Sequence, residues 1–213
     1  MSTAQPPRDC QLCPRLAAFR GENRRALPDY FNGPVPTFVG AGARLLIVGL
    51  APGLHGANRT GRPFTGDFAG DLLYATLLRH DLAKGDYREH ADDGLELVDC
   101  AICNAVRCVP PQNKPTPEEI RTCRTFLAAQ IANMPHLRAI LALGKIAHDS
   151  VCDTLGAKKS AHPFGHGKVY RIGKLNLLAS YHCSRYNTNT GVLTEAMFDA
   201  VVKQAKMAAM PLI

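Results

Sequence analysis

The sequence predicts an α/β fold, an open and mostly parallel four-stranded sheet covered on both faces by helices. Two observations carry this. Short apolar runs alternate along the chain with longer segments of helical period, the pattern of strands joined by crossover helices. The unusual polar residues also stand where apolar runs end, and ligands of open α/β sheets bind at the carboxyl ends of strands.

The elements follow in order. Residues 10–25 read as a basic helix, with Leu16, Phe19 and Arg20 at helical spacing. Residues 26–43 are a Gly/Pro-rich connection. Arg44–Leu50 is an apolar run stopped by Ala51-Pro52-Gly53, hence a buried strand and a loop. A helical pattern resumes over Asp71–Leu82, and Leu97–Val106 reads as the second strand. Thr116-Pro117-Glu118-Glu119 is a helix start, with a Thr N-cap, Pro at the first position and Glu at the third. Arg138–Leu143 makes the third strand, and Gly144 opens another helix. Lys158–Gly173 is a Gly/His loop with room for a hairpin arm. Leu175–Ser180 makes the fourth strand, and a last helix runs from about Thr194 to Met207.

Composition bounds the function. Of 213 residues, 46% are hydrophobic and 20% charged, which excludes disorder, collagen and coiled coil as overall descriptions. One domain spanning 1–213 is expected, with an N-terminal cysteine-containing helical segment. No apolar run approaches the roughly 18 residues of a membrane span. Met1–Arg8 lacks the apolar core of a signal peptide, so a cytoplasmic protein is expected. Lys and Arg number 25 against 18 Asp and Glu, a net charge of +7. A soluble basic enzyme and a protein with a polyanionic partner both fit.

Eight cysteines favour metal ligation or buried thiols over a disulfide framework. Cys100 and Cys103 lie in a strand, where residues three apart face opposite ways, so they read as buried thiols. Cys10-Gln-Leu-Cys13-Pro14 sits at a turn where two thiolates can converge. Cys108 follows a strand end and Cys123 lies about two turns into the capped helix. These four form a set suited to tetrahedral zinc or to a 4Fe-4S cluster, between which ligand type does not choose. Cys152 and Cys183 have no partner at useful spacing.

The strand-end loops carry a resemblance. Gly49-Leu-Ala-Pro-Gly53, followed by His55-Gly-Ala-Asn-Arg-Thr-Gly-Arg-Pro-Phe-Thr-Gly-Asp67, resembles the first motif of family 5 (B-type) uracil-DNA glycosylases. Asn104-Ala-Val-Arg-Cys-Val-Pro-Pro111 is similar to their middle segment, and Ser180-Tyr-His-Cys-Ser-Arg-Tyr-Asn-Thr-Asn-Thr-Gly191 to their last motif. Cys10, Cys13, Cys108 and Cys123 are similar to the cluster ligands of families 4 and 5. The resemblance runs from about Cys10 to Val202. It implies a three-layer α/β/α sandwich, a 4Fe-4S cluster of mainly structural importance, and monofunctional excision of uracil from DNA. It also implies a wider base range that includes hypoxanthine, and a place at the start of base excision repair. Three positions depart from the pattern. Cys183 follows the motif histidine where proline is usual, and Tyr186 stands where a shorter polar residue is familiar. Ala51 stands where the best-known uracil glycosylases carry a catalytic Asp.

Glycosidic cleavage requires an extruded base, a donor for the developing negative charge, and control of water near the sugar. Phe64 offers a flat face for the base, beside Ala51 and Gly53 of the substrate loop. Asn104 offers one donor and one acceptor, matching uracil O4 and N3–H. His182 can donate to uracil O2 as charge develops. Asp67 is a carboxylate for water or the sugar cation, or else an N-cap. Arg59, Arg62, Lys168, Arg171, Ser184 and Arg185 are expected phosphate contacts, and Tyr186 a candidate wedge. The expected partner is DNA bearing uracil or another deaminated base. The protein is expected to be a monomer in a bacterial or archaeal cytoplasm, at the nucleoid. The alternative is a non-enzymatic nucleic-acid-binding protein with a four-cysteine metal knot.

Overall fold

A computed structural model describes residues 5–210. The first four positions, part of the Met1–Arg8 stretch, and the last three lie outside it. In chain order the strands are β1 (Phe38–Val39), β2 (Ala41–Gly49), β3 (Ala83–Lys84), β4 (Glu96–Asn104), β5 (Ala139–Leu143), β6 (Val169–Ile172) and β7 (Leu175–Ser180). The helices are α1 (Pro14–Ala26), α2 (Ala57–Thr60), α3 (Phe68–Arg79), α4 (Pro117–Ala132), α5 (Lys145–Thr154), α6 (Arg185–Asn189) and α7 (Glu195–Ala209).

The strands pair in the order β1-β4-β2-β5-β7-β6, with β3 added against β4. The four expected strands are the parallel centre, β4-β2-β5-β7. The sheet is seven-stranded rather than four-stranded, because β1, β3 and β6 add antiparallel pieces. Two of these are two residues long and the third sits in the Gly/His segment, so none carries a readable period.

The central strands are apolar on both faces, as a covered parallel sheet requires. Leu45, Ile47, Cys100, Ile102 and Leu141 face the core under α3 and α7, where Leu73, Leu77, Phe198 and Val202 meet them. Leu46, Val48, Ala101, Cys103 and Ile140 face the other way, onto Leu127 of α4 and Ala147 and Val151 of α5. Cys100 and Cys103 thus serve opposite faces.

Helix starts follow local chemistry. Helix α1 begins at Pro14, later than expected, with Cys13 as its N-cap. Thr116 and Glu119 form a reciprocal capping box on α4. Arg15 then binds both oxygens of Glu119, at 2.8 and 2.7 Å, and ties α1 to α4. Register levels the strand ends, since Gly49 of β2 pairs with Asn104 of β4 and Leu143 of β5 with Ser180 of β7. The loops after these strands therefore face one space.

Candidate active site

That space is a cavity of about 610 Å³. Phe64, Asp67, Asn104 and His182 line it. Ala51 and Gly53 join them from the loop after β2, Ser184 from the loop after β7 and Arg185 from the start of α6. Phe68 and Asn113 also line it, and neither stands out in the sequence. Phe68 is the residue after Asp67, legible in hindsight as the first residue of α3. Asn113 ends the one-turn 3-10 helix Pro111–Asn113, which no sequence period marks.

Phe64 holds a φ of 52°, a left-handed conformation in which a bulky side chain is strained. Its ring stacks against His182, with centroids 5.9 Å apart and planes 26° off parallel. Gly49 makes this possible. A Cβ there would stand 2.5 Å from both the Phe64 ring and Asn104 Oδ1.

Asn104 is only 3% exposed yet borders the cavity. Among the described residues neither its amide nor the His182 ring makes a hydrogen bond to protein. His182 is held by its backbone instead, its carbonyl accepting from Asn187 Nδ2 at 2.8 Å. Burial pulls the His182 pKa down, against a weaker opposite push from Asp67, so the ring is neutral near pH 7. Asp67 is at once the N-cap of α3 and part of the wall. Its Oδ1 accepts from the Gly70 N–H at 3.1 Å, and Oδ2 lies against Gly53 and Gly56. Together these groups can hold a flat heterocycle by its face and edge and donate to a developing negative charge.

Two of the departing residues, Cys183 and Tyr186, stand in the last loop and the helix after it. The Cys183 thiol is buried and donates to the Ala69 carbonyl at 3.4 Å, pinning the last loop to α3. Tyr186 lies in the first turn of α6, 74% exposed and outside the cavity wall. Arg185 places its guanidinium over the Phe68 ring at 5.4 Å. Arg59 is exposed and donates to the His55 carbonyl.

Arg62 does not fit the phosphate-contact expectation. It is 5% exposed and makes a two-pronged pair with Asp93, at 2.8 and 2.7 Å. The rings of Phe38, Tyr74 and Tyr87 pack against its guanidinium. Burial raises the Asp93 pKa, but hydrogen bonds from Arg62 and from the Arg88 and Leu95 N–H groups outweigh it and hold the carboxyl well below its usual range. Arg171 is likewise removed from the cavity, bonded to Asn176 near the start of β7.

Cys10, Cys13, Cys108 and Cys123 converge on a second, small cavity between α1, α4 and the segment after β4. The Arg107 N–H donates to Cys123 Sγ at 3.3 Å, and Arg20 Nη1 to Cys108 Sγ at 3.6 Å. Burial pushes the Cys13 thiol up to about 11 and that of Cys108 up to about 12, and neighbouring thiolates add to both. Among the described residues no three His, Cys, Asp or Glu side chains are arranged to hold a single metal ion.

The family model described as the uracil DNA glycosylase superfamily matches residues 36–206. A type-5 uracil-DNA glycosylase of Thermus thermophilus is 48% identical over 206 residues, covering 94% of each chain. One from Pyrobaculum aerophilum is 39% identical over 201 residues, covering 92% of this chain and 88% of its own. A type-4 uracil-DNA glycosylase of Thermotoga maritima is 34% identical over 142 residues, covering 66% of this chain and 65% of its own.

Proposed function

The chain belongs to the uracil-DNA glycosylase superfamily and groups with its type-5 enzymes, and on that premise we propose that it flips uracil and other deaminated bases out of DNA and excises them hydrolytically. The observation that carries this reading is the uncommitted amide of Asn104 and ring of His182, facing one cavity beside Phe64.

Deamination replaces an amino donor by a keto acceptor and turns the adjacent ring nitrogen into an N–H donor. Uracil and hypoxanthine therefore present the same acceptor–donor pair, which one planar amide matches. Asn104 binds that edge while Phe64 covers the face. The C1′–N1 bond breaks and its electron pair leaves with N1, the charge spreading to O2. His182, neutral, donates to O2 and stabilises charge absent from the ground state. Water adds at C1′, the proton it loses passes to solvent and the uracil anion takes one up, while the Asp67 carboxylate orients that water and faces the sugar cation. No lysine lines the cavity among the described residues, which suits a monofunctional enzyme that forms no Schiff base. Ser184, Arg185 and Arg59 hold phosphates, and Tyr186 fills the gap left in the duplex. The products are free base and an abasic site, the starting point of base excision repair in the cytoplasm.

The cysteine site fits a 4Fe-4S cluster. Its donors are four soft thiolates with N–H groups aimed at two of them. They line one small cavity together, and four thiolates are the ligand set of such a cluster. A cluster there cross-links the N-terminal segment to the loop that begins at Asn104. No helix among the described residues is long and apolar enough to cross a membrane.

The test is a duplex oligonucleotide with one uracil, incubated with the protein and then treated with alkali. Strand breakage at the uracil is expected. Binding without breakage overturns the reading and leaves a nucleic-acid-binding protein.

A further inference from the structure

Resting on the cluster reading above, we propose that Arg107 and Arg20 are the built-in counter-charges of the cysteine site and raise the reduction potential of the group it holds. Arg107 has one of the largest fully buried side chains, 1% exposed. Its Nη1 donates to Thr37 Oγ1 at 2.8 Å and to Gln5 Oε1 at 3.5 Å. Its Nε and Nη2 are buried and have no partner. Arg20 is 3% exposed and spends its donors on Cys108 Sγ and the Cys10 carbonyl. Among the described residues neither guanidinium has a carboxylate within ion-pair distance.

A permanently charged group is costly to bury without an anion. The other strongly buried arginine shows the ordinary solution, since Arg62 binds Asp93 with two hydrogen bonds. Arg107 and Arg20 are the exceptions, and both line the cavity shared by Cys10, Cys13, Cys108 and Cys123. The missing anion is the site itself. Four thiolates around a doubly positive iron–sulfur core leave two negative charges, and two guanidiniums balance them. An added electron makes the cluster more negative, and the fixed positive charges favour that state. The Arg107 backbone N–H onto Cys123 Sγ is a separate contact that a side-chain substitution leaves in place.

The experiment uses the full chain purified without oxygen. Iron and acid-labile sulfide per chain come first, and a wild type without iron overturns the cluster reading and this inference with it. Midpoint potentials are then measured by a redox titration followed by electron paramagnetic resonance, for wild type, Arg107→Met, Arg107→Lys and Arg20→Met. Both Met variants are expected to disfavour the reduced cluster at least tenfold relative to the oxidised one, about 59 mV for one electron. Arg107→Lys keeps the charge and is expected to stay near wild type. An iron-loaded Arg107→Met protein with an unmoved potential overturns the inference alone. If Arg107→Met is insoluble, Arg20→Met decides, and an unmoved potential there has the same consequence.

Discussion

Asp67 Oδ1 accepts the backbone N–H of Gly70 at 3.1 Å, while Oδ2 of the same carboxylate lies against the glycines of the first cavity loop. One side chain thus begins a helix and borders the site. The two roles separate by substitution, because Asn caps a helix about as well as Asp. Asp67→Asn is expected to keep its melting temperature and iron content and to lose at least tenfold in uracil excision. Asp67→Ala should show the same kinetic loss and a further stability loss of about 1 kcal/mol for the missing cap. Full activity in Asp67→Asn would reduce the residue to a cap.

In the proposed mechanism Asn104 meets the base only after extrusion. Asn104→Ala leaves polar groups of uracil unpaired, at about 1–3 kcal/mol each, so the excision rate should fall at least tenfold. Affinity for undamaged duplex should hardly change, since phosphate contacts supply it. Equal losses on both substrates would make Asn104 a structural residue.

The Arg62–Asp93 pair supports the fold rather than DNA binding. Removing one partner strands a buried charge, so Arg62→Met should cost about 3–5 kcal/mol of stability. The salt dependence of duplex binding should stay as in wild type, whereas Arg185→Ala should lower its slope by about 1. The pair also sets an acid limit. Asp93 has a folded-state pKa below its unfolded value of about 3.9, so its contribution is complete above that value and is lost as the pH falls through the folded one. Asp93→Asn is expected to start less stable and to lose less on acidification, read from melting temperatures across that range.

The two kinds of cysteine should respond oppositely. Cys108→Ala and Cys123→Ala are expected to lose iron and the brown colour of a thiolate-ligated cluster. Cys100→Ala and Cys103→Ala should keep both, because these thiols pack on opposite faces of the sheet. One equivalent of zinc in a colourless wild type would sink the cluster.

The central strands were legible because β2, β4, β5 and β7 are apolar on both faces and stop at polar loops. Of the cavity lining, Phe64, Asp67, Asn104 and His182 were legible because they sit in short motifs at those stops. Arg62 misled because its partner, Asp93, lies 31 residues on, and nothing local marks a buried pair that far apart. Arg107 stood unremarked inside a motif between Asn104 and Cys108, since a basic chain gives no sign of which arginine is enclosed. Strands β1 and β3 escaped because two residues have no period.

His182 makes the sharpest kinetic test, because the role proposed for it depends on the leaving group. Burial lowers its pKa, so the neutral ring persists below the ordinary histidine value. A proton-donating imidazolium would make excision fall steadily as the pH rises above that lowered pKa. A neutral donor gives no such fall, and the rate of the wild type from pH 6.5 to 8 should carry no loss that His182→Ala removes. One donor in a dry site is worth about 3–4 kcal/mol, so His182→Ala should slow uracil excision by two to three orders of magnitude. The same variant should lose less on 5-fluorouracil, whose anion is more stable and needs the donor less. Asp67→Asn, acting on water and sugar, should lose equally on both bases. Equal losses in His182→Ala would remove the leaving-group role and leave the imidazole as a wall that stacks on Phe64.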